Sequence, residues 1–341
     1  MNLSALNEVA RAIVAPGKGI LAADESSGTI KKRFDAINTE STEDRRRAYR
    51  EMLFTTAGAG DYISGVILFD ETIRQRASDG RPLPKILEEQ GIIPGIKVDK
   101  GTTPLALAPG ELVTDGLDGL RQRLVEYREL GAKFAKWRAV IDIADGIPSQ
   151  YCIDVNAHAL ARYAALCQDE GIVPIVEPEV LMDGSHSLER CYEVTAQTLL
   201  TVFDELAAQR CELEGLLLKP NMVVPGKKQS GGKAAPELIA DATIRCFRHT
   251  VPAAVPGILF LSGGQGDEEA TENLDAINKK RPLPWQVSFS YGRALQAAAL
   301  QAWRGEDANA GEGQKAYLHR ARMNGLARAG TWNVDAERAA G

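Results

Sequence analysis

Two apolar runs decide how the rest of the chain is read. They are Ala132-Lys133-Phe134-Ala135-Lys136-Trp137-Arg138-Ala139-Val140-Ile141 and Gly171-Ile172-Val173-Pro174-Ile175-Val176-Glu177-Pro178-Glu179-Val180-Leu181. Each has the length of a strand and is nearly continuous in Val, Ile, Leu and aromatic residues, the pattern of a strand buried on both faces. Between them Ile153, Ala157, Leu160, Ala164 and Cys167 recur at helical spacing on one face, and Gly171 closes that helix. Strand, helix, strand in that order is a crossover unit, and its two strands run parallel.

Working outward, the unit repeats. Gly19–Glu25, Ile63–Glu71, Ile92–Lys100, Glu214–Val223, Gly257–Gln265 and Trp285–Arg293 complete a set of eight strand-like segments. Their start-to-start spacings run from 28 residues (257 to 285) to 44 (19 to 63), room enough for a crossover helix. Ser41 with Asp44 reads as a capping box opening a helix with the stripe Tyr49, Leu53, Thr56 and Ala57, and Pro236 opens another carrying Ile239, Ala242 and Cys246. Eight βα units predict a single (β/α)₈ barrel, the TIM-barrel architecture, as one domain over residues 1–341. A doubly wound open sheet is the alternative. Leu3–Val14 reads as an extra N-terminal helix and Val224–Ala235 as a flexible Gly-rich loop. From about Ala308 the pattern is an extra C-terminal helix and a Gly/Ala-rich tail.

Composition narrows the function classes. The formal charge is 40 − 46 = −6, which argues against nucleic acid or an anionic membrane as partner. No apolar run has the length of a membrane span, and Glu8 with Arg11 interrupts the N-terminal stretch where a secretory signal would need apolar residues. Cysteines 152, 167, 191, 211 and 246 form no CxxC pair and suit reduced thiols in the cytoplasm. The four histidines (His158, His186, His249 and His319) show neither HxH nor HExxH spacing, so no metal site is expected, and His186 is read as the cap of the helix that follows it. There is no Walker A motif and no GxGxxG after a strand, so no nucleotide cofactor is expected.

In a barrel of this kind the site lies at the C-terminal ends of the strands. Those ends hold Asp24 and Glu25, Lys97, Lys136 and Arg138, Glu177 and Glu179, Lys219, and Arg293. Alternation along a strand puts Lys136 with Arg138, and Glu177 with Glu179, on one common side. Charges placed in strands need a reason, because buried ion pairs rarely repay their desolvation. The bland alternative is a set of structural ion pairs plugging the barrel. Lys219 follows three leucines, and burial with neighbouring cations would free its amine as a nucleophile. A salt bridge to Glu177 or Glu179 is the alternative. Ser262-Gly263-Gly264 and Gly292-Arg293 sit where this architecture commonly binds phosphate, in the loops after strands 7 and 8. Lys97, Lys32 and Arg33 offer cations for a second anionic group, although Lys32 also suits a solvated helix face.

These motifs resemble one family, the class I, Schiff-base-forming fructose-bisphosphate aldolases. The resemblance rests on Gly17–Ser26 (GKGILAADES), Gly95–Lys100 (GIKVDK), Phe134–Arg138 (FAKWR), Val176–Glu179 (VEPE), Leu218–Met222 (LKPNM), Phe260–Gln265 (FLSGGQ) and Phe289–Arg293 (FSYGR). It implies that Lys219 forms the Schiff base and that Glu177 handles the hydroxyl proton during cleavage, with Asp24, Lys136 and Glu179 completing the catalytic set. It implies one phosphate held by Ser262, Gly263, Gly264, Ser290, Gly292 and Arg293. Ser26, Thr29, Lys97 and Arg138 would serve the other end of the sugar, and Arg33 would reach a phosphate from the first βα loop. The resemblance further implies a metal-independent cytoplasmic homotetramer of glycolysis or gluconeogenesis. No cofactor beyond the covalent lysine is implied, and phosphorylated ketoses and trioses are the substrates. A transaldolase-like barrel would share Lys219 without two phosphates, and a scaffold built on a degenerate barrel would need none of these charges. Animal members end in a tyrosine that assists proton exchange; here the last tyrosine is Tyr317 and the chain ends Arg338-Ala339-Ala340-Gly341. The tail after Trp332, with Asp335, Glu337 and Arg338 as its ionisable side chains, is expected to be solvated and dispensable.

Overall fold

The computed structural model describes residues 2–230 and 233–339. Eight parallel strands close a barrel in sequential order: β1 (Gly19–Ala23), β2 (Ile63–Leu68), β3 (Ile93–Lys97), β4 (Phe134–Ile141), β5 (Val173–Val180), β6 (Leu217–Leu218), β7 (Gly257–Phe260) and β8 (Gln286–Tyr291), with β8 pairing back to β1. A separate antiparallel hairpin joins Thr102–Pro104 to Leu112–Thr114. The open sheet is thereby excluded.

The helices are α1 (Leu3–Ile13), α2 (Ser27–Asp35), α3 (Glu43–Phe54), α4 (Asp70–Arg74), α5 (Leu83–Glu89), α6 (Leu120–Glu129), α7 (Gln150–Asp169), α8 (Leu188–Ala208), α9 (Pro236–Thr250), α10 (Asp267–Lys279), α11 (Arg293–Trp303), α12 (Ala310–Ala329) and α13 (Val334–Arg338). They bury one apolar face on the outside of the barrel, as in α7, where Ile153, Ala157, Leu160, Ala164 and Cys167 are all buried. Ser149 caps α7 by accepting from the Cys152 amide at 3.1 Å, and Gly171 beyond its end has φ +74.

Inside the barrel the period-2 rows form a second core. Ile20 and Ala22, Phe134, Val173 and Ile175, Leu217, and Leu259 point inward and meet Leu6, Ala10 and Ile13 of α1, so the extra helix seals the bottom. Phe134 takes more than its share of the interior. A Cβ on Gly95 of the neighbouring strand would lie 2.3 Å from its ring, so that position accepts only glycine. The bottom is thus filled by apolar layers, and the barrel opens at its C-terminal mouth.

The strands are shorter than their apolar runs suggest, and each shortening has a local cause. The first run stops at Ala23 because Ser26 is the N-cap position of α2, and the second stops at Leu68 because α4 starts at Asp70. β6 keeps only Leu217–Leu218; the Lys219 amide still donates to the Val176 carbonyl at 2.8 Å, but Pro220 has no N–H with which to continue. Arg293 is the first residue of α11, not the last of β8.

Three local readings are corrected. Ser41 and Asp44 do not form a capping box: Thr42 caps α3 by accepting from the Arg45 amide at 3.2 Å, while the Ser41 carbonyl takes a hydrogen bond from Arg46 at 2.8 Å. α3 ends at Phe54, leaving Thr56 and Ala57 outside it. Ser187, not His186, caps α8, because its hydroxyl reaches the Arg190 amide at 3.2 Å.

The described part of the loop Val224–Ala235 carries no helix or strand; residues 231 and 232 lie outside the described residues. Its first half is tied down by amides of Gly226, Lys227 and Lys228 donating to His186, Met182 and Gly184 carbonyls at 2.7–2.9 Å.

The tail is not a solvated end. Glu337 of α13 is mostly buried and holds Arg320 in a short ion pair, His319 Nε2 at 3.1 Å and the Trp332 indole N–H at 2.9 Å. Asp335 and Arg338 are exposed as expected, and Ala340 and Gly341 lie outside the described residues. Arg320 is 4% exposed and also donates to the Asp267 carbonyl and the Thr271 hydroxyl of α10. Truncation after Trp332 strips this buried guanidinium of its carboxylate and is expected to cost about 2–4 kcal/mol of stability. Urea unfolding of the truncated protein beside Glu337→Gln measures this; equal midpoints for wild type and both variants would show the pairing to be idle.

Candidate active site

The period-2 rows that are apolar inside the barrel turn charged as they reach its mouth. Ala22 is followed two residues on by Asp24, Phe134 by Lys136 and Arg138, Ile175 by Glu177 and Glu179, and Leu217 by Lys219. Parallel register aligns these ends. Lys97 of β3 stands opposite Lys136, and Arg138 opposite Glu177. The charged ends line one cavity of about 230 Å³.

Its floor is a chain of alternating charges. Lys219 Nζ lies 3.1 Å from Glu177 Oε1; Lys136 Nζ lies 3.2 Å from Glu177 Oε2 and 2.7 Å from Asp24 Oδ2. Lys219, Lys136 and Glu177 are each no more than 4% exposed. Burial alone would push the Asp24 carboxyl up, but the ammonium groups of Lys136, Lys219 and Lys97 outweigh it and hold Asp24 below the usual carboxylate range. Burial would likewise discharge Lys136, but Asp24, Glu177 and Asp99 outweigh it and raise its affinity for the proton. Both groups therefore stay charged across the neutral range.

One wall carries the remaining cations. Lys97 pairs with Asp99 Oδ1 at 2.6 Å, and Arg138 makes a short ion pair with Glu179. Ser26 and Thr29, at the start of α2, hydrogen-bond to each other at 3.2 Å and face the same cavity. Arg33, one turn further along α2, reaches in and pairs with Glu25 at 2.5 Å.

The opposite wall is built for an anion. Ser262 and Gly263 open the loop after β7, where Gly263 and Gly264 take φ values of +46 and +101 that a side chain would oppose. Ser290 at the end of β8 has a buried hydroxyl oxygen with no hydrogen-bond partner, a vacancy that an anion's oxygen can fill. Gly292 and Arg293 follow at the N-terminus of α11, and no carboxylate among the described residues pairs with Arg293. Backbone amides, a free hydroxyl and an unmatched guanidinium on one wall suit an anion such as phosphate.

Every residue expected at the site lines the cavity except Gly264, which lies one step back beneath the Lys227 ammonium and lines a neighbouring cleft with Met182 and Pro225. Lys32 lies outside the cavity, on the exposed side of α2. Glu25 was assigned no role by sequence, yet it lines the cavity and is buried. Its only sequence signal was its place beside Asp24. Among the described residues no three His, Cys, Asp or Glu side chains converge as a metal site, and all five cysteines are buried free thiols.

Comparison with known proteins agrees with this geometry. The family model for "Fructose-bisphosphate aldolase class-I" matches residues 5–341. The chain is 57% identical to "Probable fructose-bisphosphate aldolase class 1" of Xylella fastidiosa, over 97% of this chain and 99% of that protein. It is 55% identical to "Fructose-bisphosphate aldolase 4, cytosolic" of Arabidopsis thaliana, over 95% of this chain and 83% of that protein. Among solved structures, fructose-bisphosphate aldolase from Plasmodium falciparum, in complex with TRAP and a small-molecule inhibitor, superposes with a TM-score of 0.96 at 48% identity, covering 97% of this chain and 96% of that one. Matched over nearly its whole length, the chain belongs to the class I fructose-bisphosphate aldolase family.

Proposed function

We propose that this chain catalyses the reversible cleavage of fructose 1,6-bisphosphate to dihydroxyacetone phosphate and glyceraldehyde 3-phosphate through a Schiff base on Lys219, in glycolysis or gluconeogenesis. The observation that carries the reading is the contact of Lys219 Nζ with Glu177 at 3.1 Å, beside the wall that suits an anion. Lys219 gives up a proton and its amine adds to the C2 ketone; that proton returns to the carbinolamine hydroxyl, which leaves as water, and a protonated imine remains. Glu177 takes the C4 hydroxyl proton as the C3–C4 bond breaks, and the bonding electrons flow into the imine to give an enamine. Glyceraldehyde 3-phosphate leaves; protonation at C3 and hydrolysis then release dihydroxyacetone phosphate.

Lys136, held between Asp24 and Glu177, keeps both carboxylates oriented, and Asp24 orients the C4 hydroxyl. Glu179 fixes Arg138. Ser262, Gly263, Ser290, Gly292 and Arg293 hold one phosphate, with Gly264 shaping the turn. Ser26, Thr29, Lys97 and Arg138 serve the other end of the sugar, and Arg33 reaches a phosphate from α2. Glu337 is committed to Arg320, so C3 protonation falls to water or another group at the mouth. The same reading carries a single-domain cytoplasmic homotetramer that works without a metal.

The test is a coupled assay of fructose 1,6-bisphosphate cleavage after exhaustive EDTA treatment. Full activity is expected, and loss on chelation with recovery on adding a divalent metal would overturn the reading. Arg293→Ala is expected to weaken substrate binding by about 1.5–3 kcal/mol, the scale of a hydrogen bond to a charged group. Unchanged KM and kcat in that variant would make the arginine structural.

A further inference from the structure

Behind the mouth lies a second ionic cluster that the reaction as described does not use. Glu25 Oε1 accepts from Arg33 Nη1 at 2.5 Å and from Gln296 Nε2 at 2.9 Å, and its Oε2 faces Arg50 Nη2 at 3.5 Å. Arg50 projects from α3, outside the barrel, and is 1% exposed. It also braces the backbone on either side of Asp24, donating from Nε to the Ala23 carbonyl at 3.3 Å and from Nη2 to the Glu25 carbonyl at 3.1 Å. Its Nη1 has no partner. Gln296 is itself fixed, donating to the Ala22 carbonyl at 2.8 Å and accepting from the Tyr49 hydroxyl at 3.2 Å.

Stability alone disfavours this arrangement. Two guanidinium groups share the Glu25 carboxylate and one buried N–H is left unsatisfied, and such clusters are often worth less than apolar packing. The geometry shows what the cluster does instead. Arg33 offers Nη1 to Glu25, while its Nη2 lies against the backbone of Gly292; a Cβ built there would be 3.6 Å from that nitrogen. Gly292 immediately precedes Arg293, so Arg33 and Arg293 flank the same turn.

We infer that Glu25, held from behind by Arg50 and Gln296, is a positioning residue that sets the Arg33 guanidinium against the Gly292–Arg293 turn. A carboxylate that fixes one nitrogen of a planar fork also fixes the direction of the other. The inference rests on the proposed function, since it takes Arg33 to meet a substrate phosphate.

The test uses inorganic phosphate as a competitive inhibitor of fructose 1,6-bisphosphate cleavage in the full-length enzyme. Arg33→Ala and Glu25→Gln are each expected to raise the inhibition constant and KM about tenfold, the equivalent of one charge-assisted hydrogen bond, with the change falling on KM more than on kcat. The double variant is expected to match either single one, because both act through Arg33. Arg50→Met is expected to raise the inhibition constant in the same direction, and Arg50→Lys to recover part of it. An effect of Arg33→Ala without one of Glu25→Gln overturns the inference and leaves the function standing. Additive effects in the double variant overturn it too, as does a lowered melting temperature in Glu25→Gln with unchanged phosphate inhibition. No effect of Arg33→Ala removes the premise that this arginine meets phosphate, and the inference with it.

Discussion

Borohydride reduction in the presence of dihydroxyacetone phosphate is expected to label Lys219 and inactivate the enzyme, and Lys219→Ala to lose at least about 10⁴ of kcat, on the scale of removing a covalent nucleophile from other enzymes. The expectation comes from the surroundings of the amine. Lys219 is 4% exposed, follows Leu216, Leu217 and Leu218, and has one carboxylate oxygen of Glu177 at 3.1 Å. Such a group can pass a proton to its neighbour and attack a carbonyl without reorganising water. Peptide mapping after reduction settles the site. A label on Lys136 or Lys97, the other cations at the mouth, would transfer the nucleophile to a residue that the structure pairs with carboxylates at 2.7 and 2.6 Å. Full activity in Lys219→Ala would remove the Schiff base altogether.

Glu177→Gln is the second large effect, a fall in kcat of about 10²–10⁴, the range for a positioned general base. The amide keeps the shape and leaves Lys136 paired with Asp24, but it takes the carboxylate from buried Lys219, so the barrel is expected to fold with a lowered melting temperature. The discriminating measurement is single-turnover trapping. Imine formation with dihydroxyacetone phosphate should persist in the variant while C–C cleavage of fructose 1,6-bisphosphate slows. If cleavage keeps its wild-type rate, the proton goes elsewhere, and Asp24, the other carboxylate against Lys136, becomes the base to test.

Much of the fold was legible because a parallel barrel repeats one unit. A strand buried on both faces must be a nearly continuous apolar run, and a crossover helix must carry an apolar stripe, so the chain spells out both eight times. The ends of the runs were less legible. A run continues into the loop at the mouth because apolar and small residues there pack against the barrel top, as Leu261 does beyond β7, so hydrophobicity overstates the strand. Ser41 and His186 show the same limit on a smaller scale: several polar side chains stand near each helix start, and the path of the backbone picks the one that caps.

The clustering of charges at the strand ends is legible from residue order alone, because alternation carries Ile175 to Glu177, Phe134 to Lys136 and Leu217 to Lys219 along single strands. Period and residue type are local properties, and they fix which face a side chain takes. Which charge meets which depends on how the barrel closes and the helices pack. Asp24 reaches Lys136 because closure of the barrel brings the ends of β1 and β4 together across the mouth, and Glu25 meets Arg50 because α3 packs outside β1. The same holds for Glu337, whose sequence context reads as a polar end and whose burial depends on Arg320 and Trp332 being folded beneath it. Ion pairing depends on distance through space, and distance between residues far apart in sequence is set by packing, which no local pattern encodes.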